Sequence, residues 1–89
     1  MRKALEKIFG EELRVLAIGT REKLELTQRE MGDILQMSES SYSDIETGRS
    51  HCGMVSTILL LELQEDPDDF IQRAKEKANL WYEKEMQLI

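Results

Sequence analysis

One cysteine (Cys52), one proline (Pro67) and five glycines are all this 89-residue chain has of the residues that staple or bend a backbone. A lone thiol forms no disulfide within the chain and excludes zinc sites that need two or more cysteines. So little proline and glycine leaves few chain reversals from which to build a sheet. Aromatic residues make up only 6% of the chain. Long hydrophobic runs are missing too: the longest aliphatic one, Ile58 to Leu61, is four residues, against the roughly 20 a membrane span needs. Behind the basic start Arg2-Lys3, Glu6 and Lys7 interrupt any apolar stretch, so no secretory signal is expected and the chain reads as cytoplasmic. The arrangements that carry catalysis are also missing. There is no glycine-rich phosphate loop, no pair of carboxylates in a cleft-forming context and no set of metal ligands, so neither an enzyme nor a cofactor is expected. His51-Cys52 are sequence neighbours on a loop with no second cluster to complete a metal site or a triad.

What is present fits one small soluble domain. Hydrophobic residues are 40% and charged residues 34% of the chain, with net charge −6. The charge is uneven: residues 1–23 carry +2, 24–50 carry −4, 51–69 carry −5 and 70–89 carry +1. That balance opposes indiscriminate binding to nucleic acid or to an anionic membrane.

Helix signals run throughout. Leu5, Ile8, Phe9, Leu13, Leu16, Ala17 and Leu24 recur mostly every three or four residues, one apolar stripe from the N-terminus. Gly10 is expected to break it and Gly19 to mark close packing. Thr27-Gln28-Arg29-Glu30 spells a capping box that starts a short helix burying Met31, Ile34 and Leu35. Ser38 caps the next, with Tyr42 and Ile45 inward and Gly48 closing it. A fourth helix covers about Met54 to Gln64 with Val55, Ile58, Leu59 and Leu61 or Leu63 inward. Asp66-Pro67-Asp68-Asp69 starts a fifth, running nearly to Ile89. Its positions 71, 74, 78, 81, 85 and 88 read Ile71, Ala74, Ala78, Trp81, Glu85 and Leu88, a 3-4-3-4-3 seam broken once. With Tyr82 beside it, this seam is the expected homodimer surface; packing against Leu5, Ile8 and Phe9 of the same chain is the alternative. The expected fold is all-α, residues 1–66 forming a helix-turn-helix unit and 67–89 a long C-terminal helix.

Between Thr27 and Arg49 the sequence becomes specific. Thr27-Gln28, small Gly32, the turn at Gln36-Met37, Ser38, and Ile45-Glu46-Thr47-Gly48-Arg49 together resemble the helix-turn-helix of Cro and phage-repressor (XRE-like) regulators. The resemblance covers about residues 12–65. It implies a lambda-repressor-like five-helix domain and a structural ion pair between Arg21 and Glu46. It also implies a recognition helix placed in the major groove of double-stranded DNA. By family position Glu39 and Ser40, with Asp44 one turn later, meet base edges, alongside Ser43. Serine donates or accepts there, and a carboxylate accepts from the cytosine amino group. Thr27 and Gln28 at one helix start, Ser38 at the other and Arg49 at the far end complete the implied DNA-binding set, with Gln28 and Arg49 on phosphates. Arg2, Lys3, Lys7 and Arg14 are candidate supplements.

The departures are equally concrete. Gln36 and Glu25 stand where relatives carry glycine, so either these side chains tolerate a left-handed backbone or the turns differ. The recognition helix has no lysine or arginine, and within 27–50 only Arg29 and Arg49 can neutralise phosphate. Two functions follow. The first is a dimeric, sequence-specific transcriptional regulator. The second is an acidic helix-turn-helix module, antitoxin-like or a regulatory subunit, that binds a protein partner instead of DNA.

Overall fold

Five helices and no strand are found among the described residues: α1 (Arg2–Lys23), α2 (Gln28–Ile34), α3 (Glu39–Glu46), α4 (Met54–Glu62) and α5 (Pro67–Gln87). The structure is a computed structural model that describes residues 2–87, with side chains described from residue 3 to 87. Leu88, the last member of the expected seam, lies outside the described residues.

The helix starts are the ones the sequence spells. The Thr27 hydroxyl accepts from the Glu30 amide at 3.1 Å while the Glu30 carboxylate accepts from the Thr27 amide at 3.0 Å, a complete capping box. Ser38 Oγ accepts from the Ser41 amide at 3.1 Å, and the Asp66 carboxylate from the Asp69 amide at 3.1 Å.

The helix ends are less orthodox. Three of them close with the same pair of hydrogen bonds around a residue of positive φ. After α1, Leu26 N donates to Arg21 O (3.0 Å) and Glu25 N to Glu22 O (3.1 Å) around Glu25 at φ 55°. After α2, Met37 N donates to Gly32 O (2.9 Å) and Gln36 N to Asp33 O (3.2 Å) around Gln36 at φ 58°. After α3, Arg49 N donates to Asp44 O (2.9 Å) and Gly48 N to Ile45 O (3.2 Å) around Gly48 at φ 80°. Glu25 and Gln36 therefore adopt the glycine conformation themselves, and the turns of the motif are kept.

The core gathers Ala17, Met31, Leu35, Tyr42 and Leu60, flanked by Leu13, Leu16, Leu26, Met37, Leu59 and Leu63. Gly32 lets α2 meet the following turn, since a Cβ there would lie 3.0 Å from Met37 O and 3.3 Å from Ser38 O.

Several sequence expectations are corrected. α1 runs unbroken through Gly10. That glycine instead admits the His51 ring, whose Nδ1 would be 2.9 Å from an added Cβ. Gly19 faces open space. Leu24 falls beyond the end of α1 and, like Ile34, is exposed. In α4 the inward residues are Leu59, Leu60 and Leu63, while Val55 and Ile58 point out. The run Ile58–Leu61 gives no phase to a periodicity argument. The phase is set by tertiary packing: Leu60 joins the core with Leu59 and Leu63 against it, and just past the helix Gln64 Nε2 donates to Thr20 Oγ1 on α1 at 3.0 Å.

The α5 seam closes within the chain. Phe70, Ala74 and Ala78 are buried, the two alanines at 1% and 7% exposure, and α5 lies along α1 with Lys77 Nζ 2.6 Å from Glu12 Oε1. Trp81 is half-buried beside Ile8 and Glu12. Ala74 and Ala78 are therefore covered by their own chain. Of the alternative set Leu5, Ile8 and Phe9, Ile8 stands beside the seam at Trp81, while Leu5 and Phe9 line a separate groove with His51 and Cys52. Ile71 and Tyr82 remain exposed.

Candidate nucleic-acid interface

The inner side of α3 buries Tyr42 and Ile45. With those two fixed, helical periodicity turns positions 39, 40, 43 and 44 outward together. Glu39 and Ser40 are exposed, and Ser43 and Asp44 half-exposed. These four side chains, with Gln28 from α2 and Arg49 beyond α3, line one shallow groove. Six of the eight DNA-contact candidates thus share a surface. Thr27 and Ser38, the other two, are exposed but already serve as helix caps.

Beneath the groove lies the polar joint that holds α3 in place. Arg21 on α1 grips Glu46 in a fork, Nε to Oε2 at 2.6 Å and Nη2 to Oε1 at 3.2 Å, and its Nη1 donates to Leu26 O at 3.1 Å. Gln28 Nε2 donates to Glu46 Oε1 at 3.0 Å, which leaves its second N–H and its carbonyl oxygen for a ligand. Burial pushes the Glu46 carboxyl upward. Hydrogen bonding, chiefly from Arg21, and the guanidinium charge outweigh burial and hold the pKa below the ordinary 4.5. Tyr42, whose hydroxyl donates to Ala17 O at 3.3 Å, is raised well above its ordinary value by burial first and then by the Glu46 carboxylate.

The electrostatics of the groove are acidic. Arg49 lies 3.9 Å from Asp44 Oδ1, so one of the two cations of the motif is shared with a carboxylate on the same face. The Glu30 carboxylate, held low by the Thr27 amide, is ionised at the start of α2. Arg14, a candidate phosphate contact by sequence, is occupied instead: Nη1 donates to Glu46 O at 3.0 Å, and Nε and Nη2 pair with Glu11. It caps the C-terminal end of α3, a role its position in the middle of α1 does not announce. Lys3 and Lys7 are exposed on α1.

A protein-family model described as a helix-turn-helix domain matches residues 8–61. The chain belongs to this helix-turn-helix family. The match begins inside α1 and ends inside α4, so the helix-turn-helix domain includes the Arg21–Glu46 joint and the whole groove. Searches of the curated proteins and of the solved structures gave no match. Among the described residues no group of three or more His, Cys, Asp or Glu side chains is placed to hold a metal ion, and no helix is long and apolar enough to cross a membrane.

Proposed function

We propose that this helix-turn-helix protein is a sequence-specific transcriptional regulator that lays α3 in the major groove and acts as a dimer on half-sites about one DNA turn apart. The observation that carries the reading is the outer face of α3. Glu39, Ser40, Ser43 and Asp44 line one groove, none of them serves as a helix cap, and all are of types that hydrogen-bond to base edges. Gln28 and Arg49 flank them at the positions where phosphates run beside the groove. With Arg29 and Arg49 as the cations of each protomer's motif, the phosphate term is small. A dimer using both should show a log K against log salt slope of about −4.

The test is selection of the purified protein on a random duplex DNA pool at low salt. Enrichment of a two-fold palindrome is expected. No enrichment by a folded, helical protein overturns the reading.

One observation favours a second reading: the α3 face carries two carboxylates, and Asp44 draws in the arginine at its end. Such a face suits a basic protein partner. Asp44→Lys strengthens nonspecific DNA binding under either reading and abolishes partner binding only under the second.

A further inference from the structure

The outer face of α4 is left without a cover. Met54, Val55 and Ile58 are 78%, 61% and 58% exposed, and Leu61, one turn further, is half-buried. Since Leu59, Leu60 and Leu63 already pack inward, α4 is apolar on both sides, the pattern of a helix held between two partners. Residues 50–61 contain no Asp, Glu, Lys or Arg, in a chain where about every third residue is charged. Depletion of charge at the centre of an exposed apolar patch is the compositional mark of an interface core.

We infer that this face receives a second copy of the same chain, the two α4 helices packing antiparallel about a two-fold axis at Ile58. The inference names the surface for the dimer of the proposed regulator and rests on that reading for its need of two copies. A two-fold contact is isologous, so each residue meets the one equally far on the other side of the axis. Ile58 is the midpoint of Met54–Glu62, which opposes Ile58 to Ile58, Val55 to Leu61 and Met54 to Glu62. The charges match as well. The start of α4 is capped by Gly53 with no side-chain hydrogen bond and has no acidic residue in its first turn, while its last turn has no basic one. Within one chain, Glu62 therefore sits at the helix end that disfavours an anion. Antiparallel pairing moves each Glu62 to the partner's uncapped positive end, turning a mismatch inside the protomer into a complement across the axis.

The experiment is sedimentation of the full chain without DNA, so that it stands apart from any failure of DNA binding. Wild type should dimerise with concentration. Ile58→Asp should weaken the dimer at least about 30-fold, the size expected for loss of a central anchor. Because Ile58 is exposed in the single chain, that variant should keep its helix content and the thermal melt of the monomer. In a Cys52→Ser background, Ile58→Cys should form an intermolecular disulfide with oxidised glutathione, since only positions beside the axis bring two copies within about 6 Å. Met86→Cys in the same background should not. Three outcomes overturn the inference: a dimer indifferent to Ile58→Asp, no cross-link at 58, or a wild-type chain that stays monomeric up to about 1 mM, the weak end of specific association. The last would leave the face to a protein of different sequence. A palindrome selected by a dimer indifferent to Ile58→Asp would retain the regulator and remove this interface. An Ile58-dependent dimer that enriches no DNA would do the reverse.

Discussion

Four N–H donors from α1 and α2 converge on Glu46: two from Arg21 and one from Gln28 on its carboxylate, and one from Arg14 on its carbonyl oxygen. Removing the carboxylate strands the Arg21 guanidinium in a largely buried site, a loss of about 3–5 kcal/mol. Glu46→Ala should therefore lower the melting temperature by roughly 12–40 °C, read by circular dichroism. Because the folded-state pKa of Glu46 is depressed, its contribution is complete above the ordinary carboxylate value. That contribution is lost as pH falls through the lower folded value. Wild-type stability should thus decline below about pH 4.5 more steeply than that of Glu46→Gln, the difference between the two curves isolating this carboxylate. The partnership of Arg21 and Glu46 is legible in the sequence from their family separation. The shares of Gln28 and Arg14 are not, because a long polar side chain on a helix surface reads as solvated until the fold puts an acceptor beside it.

At the scale of the element, starts and stops were unequally readable. Thr27, Ser38 and Asp66 announce helix starts because a cap is a local bond between residues three apart. Glu25 and Gln36 conceal helix ends, because a left-handed residue other than glycine carries no local preference for that conformation. Each bears a strain of about 1–2 kcal/mol that the surrounding hydrogen bonds hold in place. Gln36→Gly relieves that strain but gains unfolded-state entropy. A net stabilisation of about 0.5 kcal/mol is expected, a rise of roughly 2–4 °C in melting temperature. Gly48→Ala should act oppositely, losing about 1 kcal/mol or more. Comparing the two variants by denaturant unfolding checks both signs at once. The register of α4 was illegible for another reason, since four consecutive aliphatics offer a helix equivalent faces until packing against the core chooses one.

Seen as a whole, the molecule is elongated, 46 × 27 × 19 Å, with two long helices, α1 and α5, packed against one another. The five-helix architecture was readable in outline. The destination of the α5 seam was not, because a 3-4 repeat of mostly apolar residues serves an intramolecular groove as well as a dimer. Ala78→Glu sets a carboxylate in that groove and should destabilise by about 2–3 kcal/mol, whereas exposed Asn79→Glu should stay within about 0.5 kcal/mol; paired thermal melts separate them. The joint at Glu46 also bears on how the molecule opens. With seven and eight residues, α2 and α3 are far below the roughly 12–15 at which a helix begins to hold by itself in water. They persist because they pack on each other while α1 anchors α3 at Glu46, so neither unwinds without releasing the other. Amide protons of Leu35, Tyr42 and Ile45 should therefore exchange with deuterium only through cooperative global opening, at one shared free energy. The last turns of α5, whose side chains beyond Trp81 are exposed, should exchange long before them.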